Sequence, residues 1–213
     1  MPFEKSIAAL QAEAQALSPA LNALSLEAWS QSTRLAAWNV RQLLVHLTRA
    51  YDRIVAYVRA PEPPGPELDW LGYWRGARGQ ARPDDIAART VEQAGDRTPA
   101  DVLAAYHSAT TTAVQLAEEA GPDRVIRSPF GAMRLDHYLT SRVVEATVHG
   151  LDLRDGLGLE EVATPLGVEV TSALLDELLG TPRPVDLERD DLAWILAATG
   201  RREHDDPDLP VLS

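Results

Sequence analysis

Apolar residues recur at steps of three and four positions along most of this chain. That spacing is typical of amphipathic α-helices, because residues three or four apart lie on the same helical face. Four long segments carry the pattern and predict the main helices of the fold, at residues 3–17, 39–60, 98–120 and 136–155. No convincing alternation of apolar and polar residues predicts a sheet. The pattern therefore predicts an all-α protein built on a four-helix bundle.

Capping and breaking residues define the ends of these segments. Asn39 followed by Gln42 has the spacing of a capping box, in which each side chain bonds the other residue's backbone amide. Asp136 is the predicted cap of the fourth main helix. The pair Ser18-Pro19 is predicted to break or kink the first helix, because proline lacks the amide hydrogen that a helix needs.

Shorter elements are predicted between and after the main helices. Further helices are expected at residues 83–95, 165–179 and 190–199. A short extended piece at residues 124–127 is followed by a turn, Pro129-Phe-Gly131. Residues 69–80, which we call the aromatic segment, mix two tryptophans and a tyrosine with three glycines, too many for a confident helix. This segment is either a mobile flap or a set of aromatic side chains packed over one end of the bundle.

The length of the chain limits its domain organisation. With 213 residues it can form one large domain, or one domain with a small appendage. The helical pattern becomes looser after Gly156-Leu-Gly158. We therefore predict a bundle domain at residues 1–158 and a short C-terminal helical appendage at residues 159–213.

Composition and charge limit the classes of molecule that this protein can bind. The chain has 32 acidic and 20 basic residues and a formal net charge of -12, which argues against a nucleic acid or an anionic membrane as partner. Its start lacks a basic segment followed by an apolar stretch, and no run of about 18 apolar residues occurs, so we expect a soluble cytoplasmic protein. It contains no cysteine, so any thiol chemistry requires a thiol cosubstrate.

One stretch of the fourth main helix carries the candidate chemistry. Glu145 and His149 are four residues apart, so they project from one helical face within reach of a single small cation. Burying a carboxylate and an imidazole among apolar residues is unfavourable unless they find partners. His46, which also lies inside an apolar helical run, is the best candidate for a third ligand. The spacing alone leaves two alternatives open, an ion pair between Glu145 and protonated His149, or hydrogen-bonded core residues.

Four more residues are candidates for supporting roles. Arg49, Arg53 and Arg142 are candidates for binding an anionic substrate. For Arg49 and Arg53 the alternative is a solvated outer edge, because arginine is mostly exposed in proteins. Asp152 follows His149 by about one turn and is a candidate for orienting a ligand imidazole from outside the site. The alternative for Asp152 is a solvated position near the helix end.

Two motifs carry a resemblance to a known family. They are Trp38-Asn39-Val-Arg-Gln-Leu-Leu-Val-His46-Leu and, about 100 residues later, Arg142-x-x-Glu145-x-x-x-His149-Gly-Leu-Asp152-Leu. In this order they resemble the DinB-like superfamily and, within it, the mycothiol-dependent maleylpyruvate isomerase family. The resemblance covers about residues 5–155, and the ordered pair of motifs is far more specific than either motif alone.

The resemblance implies a DinB-like four-helix bundle and a divalent metal, usually zinc, held by one His of the second main helix and a Glu and a His of the fourth. The matching residues are His46, Glu145 and His149, and two His with one Glu form a known catalytic zinc set. Many family members bind a low-molecular-weight thiol, which implies mycothiol or a similar cosubstrate. In the isomerases the thiolate adds to an activated double bond, rotation follows, and elimination returns the thiol. Related branches transfer the thiol to an electrophile.

The chain departs from the family beyond the bundle. The isomerases carry a larger α/β domain there, which helps to wall the site, whereas this chain has only residues 159–213. The resemblance therefore does not establish maleylpyruvate as the substrate, and the family's catalytic arginine has no assigned position here.

Two hypotheses from different classes follow. The leading one is a metal-dependent enzyme that uses such a thiol for isomerisation or S-transfer on a small electrophile, with a homodimer left open. The rival is a non-catalytic helical bundle that binds a small molecule or a protein and keeps a relic or structural metal site. The effect of zinc on thermal stability distinguishes the two hypotheses. A protein that binds zinc in its folded state is stabilised by it.

Overall fold

The computed structural model describes residues 2–80 and 83–212 of the chain. These residues form eight α-helices, namely α1 (Phe3–Asn22), α2 (Val40–Arg59), α3 (Trp70–Gln80), α4 (Pro83–Ala94), α5 (Pro99–Ala120), α6 (Leu135–Gly156), α7 (Pro165–Leu179) and α8 (Asp191–Ala198). A short antiparallel hairpin of β1 (Val125–Ser128) and β2 (Gly131–Arg134) joins α5 to α6. The predicted all-α fold class is confirmed. Within the described ranges, every helix is too short or too polar to span a bilayer.

Four of the helices form the bundle. α1 packs against α5 and α6, and α2 packs against the same two helices, so the order around the bundle is α1, α5, α2, α6. The faces that meet are apolar, and their fully buried side chains include Leu10, Leu43, Tyr106 and Val143, one from each helix. Burial of a large apolar side chain contributes about 1.5–3 kcal/mol, the main favourable term in such a bundle. These are the four main helices that the spacing predicts.

The start of α2 positions the first candidate ligand. Asn39 Oδ1 accepts a hydrogen bond from the Gln42 amide at 2.9 Å, and Gln42 Oε1 accepts one from the Asn39 amide at 3.0 Å. The predicted capping box is confirmed. The box fixes the first turn of α2, and further along this helix His46, Arg49 and Arg53 all line one cavity.

Proline does not end α1 where the sequence predicted. The helix continues through Pro19 to Asn22. Pro19 removes one amide from the hydrogen-bond ladder of the helix. The Ser18 hydroxyl donates to the Ala14 carbonyl at 2.8 Å, and Leu21, beyond the proline, is buried in the core. Packing of this last turn therefore outweighs the missing hydrogen bond.

The start of α6 was also predicted wrongly. Arg134 occupies the cap position and Asp136 lies inside the first turn. From within the first turn the Asp136 carboxylate pairs with Arg134, with Nη2 to Oδ2 at 2.8 Å, and accepts a hydrogen bond from the His137 amide at 2.8 Å. The helix begins early because β2 runs directly into it. The hairpin of β1 and β2 itself was not predicted, since the sequence indicated only an extended piece and a turn there.

The aromatic segment forms helix α3, which the sequence did not predict. Each glycine lowers helix propensity by about 1 kcal/mol relative to alanine. The glycines here allow close packing instead, since a β-carbon on Gly76 would lie 2.9 Å from the Phe130 side chain. Tyr73 and Trp74 are 4% and 9% exposed. The aromatic side chains are thus packed against the bundle, as one of the two interpretations holds.

The C-terminal residues pack onto the bundle. α7 lies along α1 and α6, and α8 packs against α7 with Trp194 fully buried. After α8 the chain returns to the cavity near α2, where Val211 is buried and the Leu212 amide donates to the Ala198 carbonyl at 2.9 Å. The division into domains at residue 158 stays a prediction.

Candidate metal centre

α2 and α6 bring the three candidate ligands together. His46 projects from α2, and Glu145 and His149 project from one face of α6. Glu145 Oε2 lies 3.4 Å from His149 Nε2 and 3.7 Å from His46 Nε2. The two imidazole rings meet edge to face, with centroids 4.9 Å apart. Each residue offers one donor atom, and these atoms all lie within 4.8 Å of one another.

This donor set fits a divalent cation such as zinc. Bonds of about 2.0–2.2 Å in a tetrahedral zinc site place neighbouring donor atoms roughly 3.4 Å apart. The distances from Glu145 Oε2 to the two imidazole nitrogens are close to that value. Three protein ligands leave a fourth position open, as in catalytic zinc sites. An ion pair between Glu145 and protonated His149 is compatible with the same distances.

A buried carboxylate holds His149 from its other side. Asp152 Oδ2 lies 3.0 Å from His149 Nδ1, so the Nδ1–H donates to it and Nε2 faces Glu145. Asp152 is fully buried, and Arg201 donates to both of its oxygens, at 3.2 and 2.9 Å. Burial acts to raise the pKa of Asp152, but His149 and Arg201 outweigh it and lower that pKa to about 2. Such a carboxylate fixes the tautomer and orientation of a ligand imidazole.

A buried arginine keeps Glu145 ionised. Arg142 is 2% exposed, and its Nη2 lies 3.7 Å from Glu145 Oε1. The same Nη2 donates to the Tyr73 hydroxyl at 2.7 Å. Burial disfavours the charged carboxylate, but Arg142 and the two imidazoles outweigh burial and hold the pKa of Glu145 well below its usual range. Glu145 is therefore a carboxylate at neutral pH, the form that a metal ligand requires.

The two histidines differ in their surroundings. Burial lowers the pKa of His46, and the neighbouring His149 acts in the same direction while Glu145 opposes it. Burial also disfavours a charged His149, yet hydrogen bonds to Asp152 and Glu145 raise its pKa. His46 stacks on Trp38, with ring centroids 4.5 Å apart. The neutral imidazole that metal binding requires is thus favoured at His46, whereas at His149 a metal would displace a proton.

The candidate ligands line a cavity of about 1080 Å³. Helices α2, α3, α4 and α6 form its walls with the chain that follows α8. Its charged lining residues in the described chain are mainly basic, with Arg49, Arg53, Arg78, Arg89, Arg142 and Arg201 against Asp85, Glu145 and Asp208. The three arginines proposed from the sequence are all among them. Nη1 of Arg49 is buried and has no hydrogen-bond partner among the described residues.

Sequence reasoning missed three residues that the fold brings to this site, Arg201, Trp38 and Tyr73. Arg201 bonds Asp152 across 49 residues of sequence, so no local spacing joins them. The one usable signal was that a buried carboxylate needs a cationic partner. Trp38 stood in the first family motif without a role, and Tyr73 belonged to the aromatic segment.

Comparisons with known proteins agree with this architecture. A family model described as the mycothiol maleylpyruvate isomerase N-terminal domain matches residues 10–154. Two solved structures, of the mycothiol-dependent maleylpyruvate isomerase and of a histidine-to-alanine mutant of it, resemble this chain with TM-scores of 0.57 and 0.56. In each case the sequence identity is 16%, and the match covers 84% of this chain and 70% of the other. A search of curated proteins found no match. At that identity the structural likeness shows the fold alone, and it confirms the predicted DinB-like class.

Proposed function

The chain belongs to the mycothiol maleylpyruvate isomerase N-terminal domain family, and from this membership and the site geometry we propose that it is a metal-dependent enzyme. It uses a low-molecular-weight thiol, mycothiol or a close analogue, for isomerisation or S-transfer on a small electrophile. A divalent cation, most simply zinc, is held by His46, Glu145 and His149. The observation that carries this proposal is the convergence of three donor atoms within 4.8 Å of one another in the wall of an arginine-lined cavity.

The chain's own side chains prepare the site for the cation. Asp152, held by Arg201, orients His149 so that Nε2 faces Glu145. Arg142 keeps Glu145 ionised. A bound divalent cation would lower the pKa of a coordinated thiol and so supply a thiolate at neutral pH, which a chain without cysteine cannot provide.

The charge balance of the site favours an anionic substrate or cosubstrate. The carboxylates of Glu145 and Asp152 are matched by Arg142 and Arg201, so a bound divalent cation leaves the site with a net positive charge. We assign the binding of an anionic group to Arg49 and Arg53, which line the same cavity. The support is strongest for Arg49, whose buried Nη1 lacks a partner among the described residues. Arg142 lines this cavity as well and is the third arginine in that role.

Zinc and thiol titrations test this proposal. We expect the purified protein to bind zinc stoichiometrically, and zinc to raise its Tm, because a ligand of the folded state stabilises it. Cobalt-substituted protein should develop a sulfur-to-cobalt charge-transfer band when mycothiol is added. The variant His46→Ala should lose both signals. The matched variant His107→Ala, which removes a histidine of α5 outside the cavity, should keep both.

The two outcomes that contradict the proposal point to different parts of it. Absence of both zinc binding and a thermal shift would remove the metal site and favour the rival non-catalytic bundle. Zinc binding without a sulfur band, for mycothiol and for every other cellular thiol tried, would remove only the thiol cosubstrate.

A further inference from the structure

Tyr73 of α3 connects the aromatic segment to the candidate metal centre. Its side chain is 4% exposed and lines the cavity. Its hydroxyl oxygen accepts a hydrogen bond from Arg142 Nη2 at 2.7 Å, and the same nitrogen lies 3.7 Å from Glu145 Oε1. The phenol and a candidate metal ligand therefore share one neighbouring atom.

The Tyr73 hydroxyl has a proton to donate into the cavity. Arg142 occupies one lone pair of the phenol oxygen, and the hydroxyl proton meets no acceptor among the described residues. Burial raises the pKa of Tyr73, and the Arg142 charge opposes that rise without cancelling it, so the phenol stays protonated at neutral pH. A guanidinium that donates to the phenol oxygen also polarises the O–H bond and strengthens it as a donor.

A second tyrosine, Tyr138 of α6, packs against Tyr73 but lacks these features. The ring of Tyr138 lies 5.9 Å from that of Tyr73, and the Arg142 guanidinium lies 4.9 Å from its centroid. Its hydroxyl, however, is buried without a partner in the described structure, and its side chain is not among those lining the cavity. Tyr138 is therefore a matched control for the chemistry of Tyr73.

We infer that Tyr73 is a catalytic hydrogen-bond donor to a substrate oxygen that gains negative charge during the reaction. This inference rests on the proposed thiol chemistry and gives one further residue of this chain a role in it. When a thiolate adds to a double bond that is activated by a carbonyl group, as the family resemblance implies, negative charge develops on the carbonyl oxygen. A donor that meets this charge stabilises the transition state more than the substrate itself.

The electrons balance through the whole sequence. The sulfur lone pair forms a bond to the β-carbon, the double-bond pair moves to the bond between the α-carbon and the carbonyl carbon, and the carbonyl pair moves to oxygen. The former double bond can now rotate. Reversal breaks the carbon–sulfur bond, releases the thiolate and restores the double bond and the carbonyl. Tyr73 donates a hydrogen bond throughout and keeps its proton, so no oxidant, reductant or net proton is needed.

Turnover of Tyr73→Phe, with Tyr138→Phe as control, gives the first test. We expect Tyr73→Phe to lower kcat by about 10²-fold, as for removal of one oxyanion donor, with KM and zinc affinity within about twofold of wild type. The control should match wild type in all three quantities. Loss of zinc affinity in parallel with kcat would instead mark Tyr73 as structural and overturn the inference.

Binding of 4-nitrophenolate to the zinc-loaded protein gives a test that needs no turnover. This ion presents a charged oxygen in the cavity, and any contribution of zinc is common to all variants. We expect Tyr73→Phe to weaken its affinity about 10-fold or more, because hydrogen bonds to charged groups are the stronger ones, and Tyr138→Phe to leave it unchanged. Equal affinities in all three proteins, or no binding to wild type, would overturn the inference. Wild-type protein that binds the phenolate through Tyr73 but shows no thiol-dependent turnover would contradict the proposed function while supporting the donor role of Tyr73.

Discussion

Two glutamates lie among the helices of this protein, Glu145 half-buried in the wall of the cavity and Glu13 buried between α1 and the start of α7. Both are surrounded by packed side chains, but their partners differ. Glu145 has a guanidinium and two imidazoles within 4 Å. Glu13 is 3% exposed and accepts hydrogen bonds from the Thr164 amide at 2.9 Å and the Thr164 hydroxyl at 2.7 Å.

The difference in partners reverses the direction in which the pKa of each glutamate is shifted. Burial raises the pKa of Glu13, and the hydrogen bonds from Thr164, together with a smaller effect of the Arg154 charge, only partly oppose it. Burial acts in the same direction on Glu145, but there the neighbouring positive charges prevail and the pKa is lowered. A buried carboxylate thus stays charged where cationic groups surround it. Glu13, whose hydrogen bonds come from the neutral Thr164, acts as a structural link, since Thr164 caps α7.

Removing Glu145 should have the largest effect on zinc binding, and it tests whether this charged carboxylate is a metal ligand. We expect Glu145→Ala to weaken zinc binding by more than about 100-fold, because loss of a direct ligand should exceed the 10–100-fold typical of outer partners. Competition against a chromophoric chelator measures the affinity. The variant Glu13→Gln, altered at the second glutamate of this comparison, should bind zinc as wild type does. Retained affinity in Glu145→Ala would show that this carboxylate is not a ligand.

Replacing Asp152, the carboxylate that orients His149, should have the next largest effect on zinc binding. We expect Asp152→Asn to weaken zinc binding by about 10–100-fold, because the amide cannot hold the Nδ1 proton as a carboxylate does. Asp155→Asn serves as the control, since Asp155 lies on the same helix and shares the partner Arg34 with Asp152, but only Asp152 bonds His149. An affinity of Asp152→Asn within twofold of the control would mean that Asp152 matters only for packing against Arg201.

Gly167 tests how closely Glu13 is packed. A β-carbon there would lie 2.0 Å from Glu13 Oε1, so Gly167→Ala should displace the carboxylate and lower the free energy of unfolding by about 1–3 kcal/mol. At Gly150 a β-carbon would meet Leu17 at 3.6 Å, an ordinary contact. Gly150→Ala should therefore be neutral or stabilising by up to about 1 kcal/mol. Urea denaturation of both variants measures the difference, and equal stabilities would contradict the close packing of Glu13.

The pH dependence of stability should show the smallest effect. Because the pKa of Glu13 is higher in the folded protein than its ordinary value of 4.5, the folded state binds more protons, and wild-type stability falls as pH rises from 4.5 through the folded pKa. Glu13→Gln removes this dependence. The free energy of unfolding of the variant, relative to that of wild type, should therefore increase by up to about 1.4 kcal/mol per pH unit in that window. Parallel stability curves in urea from pH 4 to 8 would exclude an elevated pKa.

Much of the fold could be predicted because its signals act locally. The capping box at Asn39 and the helix from Pro165 to Leu179 depend on residues within about one turn, and both match the structure. The continuation of α1 through Pro19 and the helical form of α3 were not predicted, because distant packing decides them. Gly76 permits close packing of α3 against Phe130, and that contact has no signature in the local sequence.

For the site itself, the sequence determined that Glu145 and His149 share a helical face, since a spacing of four residues has that consequence in any α-helix. The apolar helical run around His46 made it the candidate third ligand, and the family motif supported that choice. Only the tertiary structure decided how these side chains are surrounded, with Arg142 on Glu145, Arg201 on Asp152 and Tyr73 at the cavity wall. The physical reason is that burial and charge pairing depend on which distant segments pack together, whereas helical spacing depends on the backbone alone.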